Sequence, residues 1–76
     1  MQRGLRPPLF EMKYKIPPNV GKVRVMMALG GRYAVWNGKD GRARFEILCR
    51  KRRTAEEVAM KINTKDHDGE IEVLNS

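Results

Sequence analysis

Seventy-six residues, 41% apolar and 33% charged, make one domain near the lower limit for a core without metals or disulfides. That content is too hydrophobic for wholesale disorder, and no apolar run approaches the ~20 residues that span a bilayer. The net charge of +7 is lopsided: residues 1–55 hold fourteen of the sixteen Lys and Arg against Glu11, Asp40 and Glu46, a surplus of +11, whereas residues 56–76 carry −4.

The first 21 residues contain Pro7-Pro8 and Pro17-Pro18, whose missing amide protons and fixed φ oppose both helix and central strand. They read as an extended basic arm carrying Arg3, Arg6, Lys13 and Lys15, with Leu9, Phe10, Tyr14 and Ile16 available to pack on a core or dock on a partner. Met1 to Phe10 lacks the continuous apolar stretch of a secretory leader. The lone Cys49 cannot form an internal disulfide, which fits a cytoplasmic setting.

From Lys22 the pattern becomes period two, with Val23, Val25, Met27 and Leu29 alternating with Lys22, Arg24, Met26 and Ala28, as a half-buried strand requires. Gly30-Gly31 supplies a turn. A strict two-residue loop there would mix apolar and basic positions on one face, so a longer loop or a bulge is expected. Arg32 to Trp36 forms a second strand, Asn37 to Gly41 a dense turn signal, and Arg42 to about Arg50 a third strand. Pairing Trp36 with Arg42 across a five-residue loop places Tyr33, Val35, Ala43 and Phe45 on one face. Arg32, Ala34, Trp36, Arg42, Arg44 and Glu46 then fall on the other.

Thr54-Ala55-Glu56-Glu57 matches a capping box, and Ala55, Val58, Ala59 and Ile62 follow at helical spacing as an apolar stripe that suits the Tyr33, Val35 and Phe45 face. Asn63 to Gly69 ends the helix. Glu70 to Leu74 alternates again and reads as a short fourth strand or a fraying terminus. The expected class is therefore α+β: a basic arm over 1–21, then one domain over 22–76 with a three-stranded antiparallel sheet packed on one helix.

A helix on one face of such a sheet leaves the other free, and the free face is expected to carry Arg32, Arg42 and Arg44 with Trp36, joined by Arg24. Guanidinium groups pair with phosphates or guanine edges, and an indole stacks. Arg50, Lys51, Arg52 and Arg53, just before the helix, and Lys39, at the second hairpin tip, add backbone phosphate contacts. Duplex DNA is the first expected partner and RNA the second, because exposed aromatics for stacking on unpaired bases are few. A protein-interaction module or inhibitor that meets an acidic protein is a rival from another class. Arginines on an exposed sheet also serve solubility alone, and a lone Trp is as often a core anchor as a stacking platform.

Catalysis, cofactors and metals are not expected. Asp66-His67-Asp68 lies in a loop without a further His or Cys to complete a site. Cys49 shares parity with Phe45 and Ile47 and reads as core, and Glu56 and Glu57 are explained by capping and by the helix N-terminus. Neither a membrane partner nor an oligomeric state is indicated.

Three strands followed by a helix, with Pro17-Pro18-Asn19 before the sheet, Gly31-Arg32-Tyr33-Ala34-Val35 in the second strand and Arg52-Arg53-Thr54-Ala55-Glu56-Glu57 entering the helix, resemble a group of sheet-reading DNA-binding domains. These are the N-terminal arm-site domain of phage and transposon tyrosine recombinases and the plant AP2-type domain. The resemblance covers roughly residues 17 to 63. It implies a sheet in the major groove braced by the helix, with Arg32, Arg42 and Arg44 on groove-facing strands. It also suggests an accessory or regulatory protein of a phage or mobile element. The catalytic domain that follows in a recombinase has no counterpart here, so strand cleavage is not implied.

Overall fold

Alternating patterning over the middle of the chain becomes a meander of three antiparallel strands, β2 (Arg24–Ala28), β3 (Arg32–Lys39) and β4 (Arg42–Cys49), in the order β2-β3-β4. The computed structural model describes residues 10–75, with β1 (Phe10–Lys15) before the meander, and α1 (Arg52–Asn63) and β5 (Glu70–Asn75) after it. The expectations for Arg3, Arg6, Leu9 and the Phe10 side chain lie outside the described side chains. Among the described residues the α+β class, one helix and the short last strand are all present.

The turn between β2 and β3 is the longer loop that the patterning demanded. Leu29–Gly31 makes a single 3-10 turn with Gly30 and Gly31 at φ 76° and 71°, the left-handed region that glycine enters without a Cβ clash. Ala28 then pairs with Arg32, Met27 with Tyr33 and Val25 with Val35. Apolar positions from both strands thereby share the inner face.

The second hairpin corrects the expected register. Its turn is the two-residue Asp40-Gly41, at φ 56° and 76°, the left-handed pair whose twist suits a tight hairpin. Trp36 consequently lies opposite Glu46, not Arg42, and Val35 opposite Ile47. This displacement is an even number of residues, so Tyr33, Val35 and Phe45 keep the common face assigned to them. Nearer the tip a register shift between Asn37 and Gly38 leaves Arg44 as an extra residue, with Ala43 opposite Gly38 and Arg42 opposite Lys39. The bulge inverts the alternation beyond it. Ala43 therefore leaves the inner set, and Arg42 leaves the Trp36 row.

Asn37-Gly38 is thus strand, for a packing reason. A Cβ at Gly38 would collide with the Trp36 ring and with the Arg42 carbonyl oxygen, so only glycine allows the indole to fold down on its own strand. Asn37 is used differently: its Nδ2 donates to the carbonyls of Val20 and Lys22 at 2.8 and 2.7 Å, fastening the segment that leads into β2.

The helix also begins earlier than the capping signal implied. Lys51 is the N-cap residue, with no side-chain cap hydrogen bond, and Thr54 lies inside the first turn. Glu56 and Glu57 instead pair with Arg52 and Arg53 one turn back, at 3.3 and 3.8 Å. At the other end the Thr64 hydroxyl donates to the Met60 carbonyl at 2.7 Å. Asn63 makes a reciprocal pair with Val23, accepting its N–H at 2.8 Å and donating to its carbonyl at 3.0 Å. That pair ties the helix C-terminus to the start of the sheet.

From Phe10 on, the arm is extended and tied down. β1 pairs antiparallel with β5, with Met12 opposite Val73 and Tyr14 opposite Ile71 on one side, and Lys13 opposite Glu72 and Lys15 opposite Glu70 on the other. Pro17-Pro18, which lack amide protons, end the strand just after the Ile16 N–H donates to the Gly69 carbonyl at 2.9 Å. The acidic C-terminal segment is thus balanced by part of the arm's own basic charge. One contiguous core joins Ile16 and Val23, the inner sheet residues Val35, Ile47 and Cys49, the whole predicted helix stripe, and Ile71 and Val73.

Candidate nucleic-acid interface

Because α1 occupies the inner face of the meander, the outer face is organised by cross-strand rows. Ala28 and Arg32 form the row nearest the first turn. Met26, Ala34 and Leu48 form the next, and Arg24, Trp36 and Glu46 the third. Past the bulge the row in outer phase is Gly38 and Ala43, and Lys39 and Arg42 close the hairpin tip in the opposite phase with exposed Arg44 beside them. Arg24, Arg32, Lys39 and Arg42 are all exposed.

This arrangement separates arginines that the sequence suggested would stand together. Arg32 opens β3 and Lys39 closes it, seven residues apart, about 23 Å at 3.3 Å per residue. Arg42 and Arg44 lie at the Lys39 end. Exposed Arg50, Lys51, Arg52 and Arg53 follow the last residue of β4, Cys49, which is paired with Tyr33 beside Arg32. The surface has two basic ends, with Arg24 and Trp36 between them.

Sequence reasoning missed the row in the middle. Met26 and Leu48 are 45% and 41% exposed and flank buried Ala34, while Met27 and Leu29 at the adjoining edge and turn are 76% and 95% exposed. The signal was present in the alternation, which puts Met26 in phase with Arg24 and Leu48 in phase with Glu46. An apolar residue in a polar phase marks a surface that gains by being covered.

Trp36 is half-buried, with the Cζ3 and Cε3 edge of its indole over Gly38. Its Nε1 is buried and has no acceptor among the described residues. A donor in that condition costs roughly 1–3 kcal/mol. Trp36 therefore belongs neither to the main core cluster nor to a fully open stacking platform.

The basic run at the start of α1 goes against local helix physics. The helix N-terminus carries a partial positive charge and favours acids, yet its first turn holds Arg52 and Arg53 and no acid. The two i,i+4 pairs run from base to acid, the less favourable orientation, and Arg53 remains 90% exposed. These cations are not explained by the stability of the helix.

The groups weighed for chemistry fall elsewhere. Cys49 is buried and free, and desolvation pushes its thiol above the usual value of 9.0, the opposite of an activated nucleophile. His67 accepts the Gly69 N–H at Nδ1, 3.0 Å away. Among the described residues no group of His, Cys, Asp and Glu is placed to hold a metal, and no helix is long and apolar enough to cross a membrane.

Comparison with protein-family models, with curated proteins and with solved structures finds no match to this chain.

Proposed function

We propose that this chain is a nucleic-acid-binding protein without an enzymatic step, and that it takes duplex DNA across the outer face of β2, β3 and β4. The observation that carries this reading is the basic charge at the two ends of the meander that border that face, Lys39, Arg42 and Arg44 at the hairpin tip and Arg32 with the Arg50 to Arg53 run at the other end. A major groove is about 12 Å wide, so ends about 23 Å apart along a strand reach the phosphates of both walls. The Met26, Ala34 and Leu48 row then faces the groove floor, where apolar side chains meet thymine methyl groups. Cations set against a helix dipole fit the same role, since a local rule broken without structural gain marks a functional surface.

Titration of labelled duplex DNA, single-stranded DNA and structured RNA at two salt concentrations tests the proposal. Tightest binding to duplex, weakening steeply with salt as counterions are released, is the expected result. Equal weak binding to all three defeats the duplex reading, and tighter binding to structured RNA replaces it with the RNA one. A second reading, an acidic protein partner, is favoured by exposed Met26, Met27, Leu29 and Leu48. Capture of one acidic protein that survives high salt, together with no duplex binding, would establish it in place of the first.

A further inference from the structure

A small hollow of about 180 Å³ opens between the start of β2 and the middle of β3, lined by Lys22, Arg24, Trp36, Asn37 and Gly38. Taking about 30 Å³ per water molecule, it has room for a tetrahedral oxyanion with a few waters and is small for a drug-sized ligand. Two of its five residues are cations, and none is an acid. Glu46, the nearest acid in the outer-face rows, is on the far side of Trp36 from Arg24 and does not line it.

The hollow is built, not a chance meeting of surface side chains. The Asn37 amide holds the Val20 and Lys22 carbonyls at 2.8 and 2.7 Å, which fixes the backbone that carries Lys22. Gly38 lets the indole lie down against β3, and the pairing of Arg24 with Trp36 sets the guanidinium stem beside the ring. Trp36 Nε1, a group that only donates, is buried without an acceptor. A rigid wall and two cations call for an acceptor of negative charge, and the side chain that forms part of the wall also carries the unused buried donor.

Resting on the nucleic-acid reading and refining it, we infer that this hollow seats one backbone phosphate of the bound duplex. Lys22 and Arg24 supply the charge, and Trp36 Nε1 donates a hydrogen bond to a phosphate oxygen. The N–H is closed off from solvent, so the seat forms by rotation of the flexible Arg24 side chain or a tilt of the indole. Pairing the orphan donor offsets that movement. The contact reads no sequence and fixes the register of the sheet on the duplex.

Trp36 is the only tryptophan in the chain, so its indole N–H gives one resolved signal in a ¹H–¹⁵N spectrum. Titration of the intact protein with a short duplex should move that signal downfield and slow its exchange with solvent, and inorganic phosphate alone should move it in the same direction at much higher concentration. Arg24→Gln, at an exposed position, should weaken duplex binding several-fold, lower the salt slope by about one and shrink the phosphate-induced shift. Duplex binding with an unmoved indole signal overturns the seat and leaves the outer-face reading standing. An indole that responds to inorganic phosphate in a protein that does not bind duplex overturns the nucleic-acid reading and with it the assignment of the oxyanion. Trp36→Phe, which keeps an aromatic ring and removes the donor together with part of the indole, should weaken duplex binding; unchanged affinity in a folded variant overturns the role of Nε1.

Discussion

Gly38 and Asn37 look like turn residues in the sequence, and each is held in β3 by what surrounds it. At Gly38 the constraint is space, since the indole and the Arg42 carbonyl occupy the position of a Cβ. Gly38→Ala should therefore lower unfolding stability by about 1–3 kcal/mol, measured by urea denaturation, and shift Trp36 fluorescence. Asn63 was legible only as the end of a helix, yet it pairs both backbone groups of buried Val23. Asn63→Ala leaves that N–H and carbonyl unmatched and should cost about 1–3 kcal/mol in the same experiment. Cys49 was read as core from its parity with Phe45 and Ile47, and it is. Its thiol is held above 9.0 by desolvation, so the native state retains the proton where the unfolded chain begins to lose it. The stability this contributes is complete below pH 9 and declines as pH rises through the raised native value. Urea midpoints at pH 7 and pH 10 should fall further for the parent than for Cys49→Ala, and equal falls would refute the linkage.

At the level of elements, α1 shows why a motif and a boundary differ. Thr54 to Glu57 has the composition of a capping box, but the N-cap falls three residues earlier, at Lys51, and the apolar stripe still begins at Ala55. Lys51 holds the N-cap at φ −119° and ψ 142°, the extended conformation a capping side chain uses. Lys51→Ser should raise stability by about 1 kcal/mol while weakening nucleic-acid binding, and a change in the same direction for both would contradict the trade. In the β1-β5 ribbon residues 10–15 are extended, as the reading of an arm expected of them, while their partner was not readable, because strand pairing between residues 10–15 and 70–75 is non-local. The register puts Lys13 and Lys15 opposite Glu72 and Glu70. Lys13→Glu with Lys15→Glu should cost about 0.2–1 kcal/mol per pair, and reversing Glu70 and Glu72 to Lys should restore the thermal midpoint.

For the whole molecule the deciding quantity is where unbalanced positive charge remains. Lys13 and Lys15 are matched across the ribbon by β5, and Glu56 and Glu57 partly offset Arg52 and Arg53, so the free excess lies on the hairpin tip and the outer face. If Arg42 and Arg44 each neutralise a phosphate, Arg42→Ala with Arg44→Ala should lower the slope of log affinity against log salt by about two. Arg52→Ala with Arg53→Ala should lower it by a similar amount at the opposite end. Removal of both pairs should act almost independently because the ends lie about 23 Å apart. An unchanged slope in either double variant would remove that end from the interface.

The sequence by itself determined the class, the three meander strands, the apolar stripe of the helix and which residues of Tyr33 to Val35 and Phe45 to Cys49 face inward. Those properties follow from local periodicity, and side-chain parity survives any register error of an even number of residues. Only the tertiary structure decided which residues stand across from one another. The tight Asp40-Gly41 turn and the single extra residue at Arg44 moved Arg42 away from Trp36, and the pairing of β1 with β5 matched charges, Lys13 with Glu72 and Lys15 with Glu70, that more than fifty residues of chain would otherwise leave apart. Registers, bulges and ribbons of this kind are settled by the closing of distant backbone hydrogen bonds and the filling of one shared core, neither of which is encoded in a short stretch of residues.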